Sequence, residues 1–247
     1  MSPPQRKTAP SKAAAGKTKD SEFLLLVRRK LARVADARKA PMMQAYMKSA
    51  MPYHGVQTVL LRQICKELFA NLNFSTRDLW QTTVLDLWRG AKYREERYAA
   101  IALTGTRRCA PFQTPAAMPL YEEMIVTGAW WDYVDEIAAN RVGPILRAHP
   151  APMKKKMLAW SKSGNMWKRR TSILCQLRFK KDTDLDLLYA CIEPSLDSKE
   201  FFLRKAIGWA LRQYAWTDAR EIRRYVREQK ETLSGLSQRE ALKNIGK

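Results

Sequence analysis

This sequence has little on which to build metal or redox chemistry. Its 247 residues hold two histidines, His54 and His149, and four cysteines, Cys65, Cys109, Cys175 and Cys191, all widely spaced. Cys/His ligand spacing of the zinc kind is missing, so the cysteines read as reduced core residues of a cytosolic protein. No apolar run approaches the ~20 residues that span a bilayer. The first residues lack the apolar stretch of a secretory signal. Strand-like alternation and two-residue hairpin signals are also missing, which argues against a sheet. Acids are short as well: 24 Asp plus Glu stand against 45 Lys plus Arg, a formal net charge of +21. Such an excess points to a polyanion, most simply nucleic acid, and only weakly to a membrane surface.

What is present is helical periodicity. Residues 1–19 are Pro, Ala, Ser, Thr and Lys/Arg with no large apolar residue after Met1, and read as a flexible basic arm. From residue 20 to 247 the chain reads as one α-helical domain, beginning with Phe23, Leu24, Val27 and Leu31 at helix spacing. Start signals recur. Pro41 opens a short helix, and Ser75 with Asp78 precedes another. Asp197 with Glu200 resembles a capping box, Thr217 a cap, and Ser237 with Glu240 a full capping box for the last helix. Some twelve or thirteen helices of about 10–18 residues with short links point to helix pairs stacked as a HEAT-like solenoid. Such a stack bends and offers a concave face.

The charge is unevenly spread. No acid occurs between Ile137 and Lys181, while Arg141, Arg147, Lys154, Lys155, Lys156, Lys162, Lys168, Arg169, Arg170, Arg178 and Lys180 do. A solvated face normally mixes signs, so this stretch reads as a surface that follows phosphates.

One segment stands apart, Gly128-Ala-Trp-Trp-Asp-Tyr-Val-Asp135. On a helix, Trp131 and Asp135 share a face one turn apart. A carboxylate beside an indole can meet a cation, with the ring as an apolar wall. The plainer alternative is a salt-bridged or solvated Asp135 among core tryptophans.

Five blocks in order resemble the AlkD-type DNA alkylation-repair glycosylases, which are built of HEAT-like repeats. They are Gln44-Ala-Tyr-Met-Lys48, Trp130-Trp-Asp-Tyr-Val-Asp135, Met166–Leu174, Ser198–Arg212 and Leu236–Lys243. The resemblance implies that Asp135 is the catalytic carboxylate, with Trp131 and Trp209 as aromatic walls. Spacing alone would put Trp209 in the core. The resemblance also implies DNA contacts through Tyr46, Lys48, Arg170, Lys205 and Arg212. The expected substrate is double-stranded DNA carrying cationic N3-methyladenine or N7-methylguanine. Its N-glycosidic bond would be hydrolysed to an abasic site without base flipping, cofactor or metal, by a monomer in the bacterial cytoplasm. The basic arm is a departure from the compact members of that family. Two non-catalytic alternatives remain at this point: a scaffold that holds damaged or branched DNA, and a solenoid that docks an acidic protein.

Overall fold

Helix follows helix in the computed structural model, which describes the backbone of residues 12–245 and the side chains of residues 22–245. No strand occurs among the described residues, and the protein is all-α. The chain forms two compact units, Met1–Thr106 and Arg107–Lys247, where the sequence reads as a single helical body.

The first unit holds α1 (Lys12–Arg33), α2 (Lys39–Met47), α3 (Thr58–Phe69), α4 (Arg77–Arg89) and α5 (Arg94–Thr104). The first of these begins inside the stretch read as a flexible arm; residues 1–11 lie outside the described residues. Ala13, Ala14 and Ala15 between Lys12 and Lys17 are strong helix formers, a local signal independent of any core. Helices α1, α3 and α4 pack on α5, and Val27, Leu31, Ile64, Phe69, Trp80, Leu87 and Trp88 are buried there together with the small Ala99 and Ala100 of α5. At the start of α4 the cap is Thr76, whose hydroxyl accepts from the Leu79 amide at 3.2 Å, rather than Ser75.

A buried carboxylate organises the loop before α3. Glu95 accepts from the amides of His54 (3.0 Å), Gly55 (2.9 Å) and Val56 (3.0 Å). Three charge-assisted bonds offset the desolvation of that carboxylate. Gly55 has φ +85°, and a Cβ there would stand 2.2 Å from the Asp36 carbonyl oxygen, so the turn admits only glycine. Beside it, Glu96 accepts from Arg28 Nε at 3.3 Å and from the Lys92 amide at 2.8 Å.

The second unit runs through two 3₁₀ turns into α6 (Met118–Gly128), α7 (Trp131–Ile137), α8 (Gly143–Ala148), α9 (Pro150–Ser161), α10 (Met166–Leu174), α11 (Leu185–Ile192), α12 (Phe201–Ala215), α13 (Ala219–Glu228) and α14 (Gly235–Leu242). A π-helical turn, Ala138–Val142, joins α7 to α8. At the centre is α10, which packs against α6, α7, α9, α11 and α12. That position explains why Trp167, Arg170, Thr171, Ser172, Ile173 and Leu174 are all buried on so short a helix. Its first turn is capped by Asn165, which accepts from the amides of Trp167 and Lys168.

The α12–α14 crossing is set by one residue. A Cβ on Gly208 would lie 2.4 Å from Glu240 Cβ and 2.9 Å from the Ser237 carbonyl oxygen. Gly208→Ala is therefore expected to cost about 1–3 kcal/mol through overpacking, despite alanine's better helix propensity. Chemical denaturation of the two proteins checks it; equal stability would mean that α14 shifts freely.

Capping in this unit differs from the expected pattern. Asp218, not Thr217, caps α13, accepting from the amides of Arg220 and Glu221 at 3.0 Å each. Glu200 stands at the start of α12 with no side-chain cap bond. The last helix is capped by Ser234, which accepts from the Ser237 amide at 3.0 Å. Ser237 lies inside the helix and donates to the Arg204 carbonyl at 3.0 Å, so the Ser237/Glu240 capping box does not form.

Candidate active site

The turn between α6 and α7 aims the site. Gly128 ends α6 and Ala129 takes the left-handed conformation at φ +43°, which terminates the helix sharply. Trp130 is extended, and α7 starts at Trp131. Trp130 is half-buried, and its ring meets Phe202 edge-on at 5.4 Å and Trp167 at 6.3 Å. Trp167 and Phe202 lie 5.1 Å apart. This aromatic group fixes the start of α7, so Trp131 and Asp135 are presented from a rigid base.

Asp135 is not solvated. Arg170 of α10 meets it with a forked pair of bonds, Nε to Oδ1 at 2.7 Å and Nη2 to Oδ2 at 2.8 Å. The guanidinium's remaining arm donates from Nη1 to the Phe202 carbonyl at the start of α12. The pair is nearly enclosed: the Arg170 side chain is 5% exposed and that of Asp135 12%. Burial pushes the Asp135 carboxyl above the ordinary aspartate value. The Arg170 bonds and charge oppose the rise, and nearby Asp132 adds to it. The result is a carboxylate oriented at both oxygens with a narrow edge open to solvent.

Arg170, expected to touch DNA, turns inward onto Asp135. Trp131 is half-buried one helical turn before Asp135, as its spacing requires. Trp209 is also half-buried on α12, packed along the core formed by α10 to α14. Lys205 and Arg212 flank Trp209 on the same helix face, four residues before it and three after. Both are held by Glu240 of α14, Lys205 at 3.0 Å and Arg212 in direct contact. The Lys205 and Arg212 hydrogen bonds and charges hold the Glu240 carboxyl below the usual glutamate range, and the shared carboxylate offsets one of the two positive charges.

Tyr46 and Lys48 belong to the first unit. Tyr46 is 78% exposed on α2, and Lys48 is an exposed left-handed cap at φ +48°. A phenol so open to water makes no contribution to the core, and is available to a ligand.

The acid-free stretch is less positive in space than in sequence. Arg141 pairs with Glu136, Arg147 with Asp182, Lys154 with Asp184 and Lys168 with Glu122. Arg169 donates to Ser195 Oγ and to the Pro194 carbonyl. Lys155, Lys156, Lys162, Arg178, Lys180 and Lys181 make no ion pair among the described residues, so the excess positive charge of the stretch rests on them. Sequence reasoning missed Phe202 and Glu240 as holders of the site's arginines. Nothing local marks either one, since each acts across helices.

Residues 27–245 match the family described as DNA alkylation repair enzyme. A solved structure described as a predicted DNA alkylation repair enzyme from Enterococcus faecalis superposes with a TM-score of 0.78 at 27% identity, covering 86% of this chain and 97% of that one. No curated protein matches the chain at a significant level. With the match running over residues 27–245, most of its length, the chain belongs to the DNA alkylation repair enzyme family.

Proposed function

We propose that the protein is a monofunctional DNA glycosylase that removes cationic alkylated purines, N3-methyladenine and N7-methylguanine, from duplex DNA. The observation that carries this reading is the Asp135 carboxylate, fixed at both oxygens by Arg170 and still 12% exposed, one helical turn after Trp131 on α7. An alkylated purine of this kind bears a positive charge and is already a good leaving group. The glycosidic electron pair departs with the base and neutralises that charge, so no general acid is needed.

What requires stabilisation is the cation that develops on the deoxyribose. A preoriented carboxylate meets it without reorganisation, and also steers a water toward C1′ and accepts its proton. Indoles at Trp131 and Trp209 add cation–π attraction, worth roughly 0.5–2 kcal/mol each. The product is an abasic site and a free base. Chemistry from the sugar side does not require the base to enter a pocket, unlike the flipping scheme of other glycosylases. Lys205, Arg212 and the unpaired lysines of the second unit hold phosphates; Tyr46 and Lys48 are candidate DNA contacts of the first unit in their own right. The protein acts as a monomer in the cytoplasm.

The test is incubation of the purified protein with N7-methylguanine duplex and chromatography of the released base. Release no faster than in buffer, with tight duplex binding retained, would leave only a DNA-holding scaffold. The charge contacts have their own check. Arg212→Ala is expected to weaken duplex binding and lower the slope of log affinity against log salt by about 1. An unchanged slope would remove Arg212 from the interface.

A further inference from the structure

The most exposed large apolar side chain of the second unit, among the described residues, is Trp216 at 71%. An indole in water leaves a large apolar area unburied, and tryptophan is highly buried on average. Its position is not random. Trp216 caps the C-terminus of α12 in right-handed helical conformation, so it continues the helix register. Lys205, Trp209, Arg212 and Trp216 then fall within about 60° of one another around the axis. Trp216 is thus the outer end of the stripe that carries Trp209.

The corner that presents it is rigid. The amides of Thr217 and Asp218 close the helix end on the Tyr214 carbonyl at 2.7 and 3.0 Å, and α13 begins at once. Its surroundings are cationic. Arg212 stands one turn before Trp216 on the same stripe, and Arg220 is exposed on the first turn of α13, four residues beyond it. The nearby acids are occupied: Asp218 caps α13, and Glu221 is held by Arg224 and Tyr189.

We propose that Trp216, between Arg212 and Arg220, forms a further duplex-DNA contact flanking the lesion, in which the indole packs on deoxyribose of the backbone. This rests on the reading of the protein as a DNA-binding enzyme. The division of labour follows from the helix end. Carbonyls at a C-terminus carry partial negative charge and disfavour a phosphate directly on the axis. An apolar ring suits the sugar there, while cations to either side take the phosphates. A sugar contact reads neither base sequence nor lesion.

The experiment compares wild type, Trp216→Ala, Trp216→Phe and Arg220→Ala, all full length, by fluorescence anisotropy on labelled duplex with and without N7-methylguanine over a salt series. Single-turnover base release at saturating protein is measured alongside. Trp216→Ala is expected to weaken binding about fivefold or more, the lower end of aromatic contacts to nucleic acid, by the same factor on both duplexes. Its salt slope should match wild type, because no charge is lost, whereas Arg220→Ala should lower the slope by about 1. Phenylalanine should restore most of the affinity, and release at saturation should be unchanged in Trp216→Ala. Wild-type affinity in Trp216→Ala, or a loss confined to the alkylated duplex, would overturn the proposal. Because affinity is read on unmodified duplex too, it is tested even if wild type binds DNA but releases no base, the result that would sink the glycosylase reading alone.

Discussion

Asp135→Asn is expected to slow single-turnover release of N7-methylguanine by about 10²–10³-fold, the usual cost of removing one preoriented electrostatic stabiliser. Affinity for intact duplex should stay equal or rise slightly, since a negative charge near phosphates is lost. That split, rate without binding, marks an interaction made in the transition state. Uncatalysed depurination of the cationic base sets a floor and must be subtracted. The asparagine also leaves Arg170 without its counter-ion, so melting curves must accompany the kinetics, with assays run well below the transition. Wild-type release in a folded Asp135→Asn protein would take the chemistry away from this residue.

The same carboxyl predicts a pH dependence. The active form is the anion, and burial raises the Asp135 value in the folded protein. Release should therefore fall as pH drops through that raised value, with a midpoint above the ~3.9 of a free aspartate. The limb should be absent from the residual activity of Asp135→Asn.

The parts of this site that were legible from sequence are those fixed by local geometry. Trp131 and Asp135 are four apart, so any helix puts them on one face. The same holds for Lys205, Trp209 and Arg212. Cross-helix partnerships were not legible. Arg170 looked like one more cation in an acid-free run, and its inward turn depends on α10 being enclosed on several sides. The run itself misled for the same reason, because Glu122, Glu136, Asp182 and Asp184 reach it from neighbouring segments. Glu240 shows the competition most directly. Spacing from Ser237 suited a capping box, but Lys205 and Arg212 claim the carboxylate, and Ser234 caps the helix instead. Propensity sets where helices start to within a turn, and at α14 tertiary charge pairing takes the expected capping residue away.

Arg170→Ala should destabilise the second unit strongly, by a mechanism different from loss of a phosphate contact. Removing one partner of a nearly enclosed ion pair costs about 3–5 kcal/mol, because the remaining charge stays desolvated. The sign of its pH dependence is fixed. Without the guanidinium, the Asp135 carboxyl rises further, so the folded variant holds its proton where the unfolded chain has lost it. Stability then falls as pH rises from the unfolded aspartate value through the raised folded one. The deficit against wild type should be smallest in acid, where Asp135 is neutral, and should grow toward neutral pH. Acid-limited base release should shift to higher pH in parallel. Removing both charges, in Asp135→Asn with Arg170→Met, should recover part of the lost stability at neutral pH without recovering activity. A guanidinium that instead faced DNA would give another pattern: unchanged stability, weaker duplex binding and a salt slope lower by about 1. Denaturation of the three variants at acid and neutral pH, with one salt series on Arg170→Ala, separates the two.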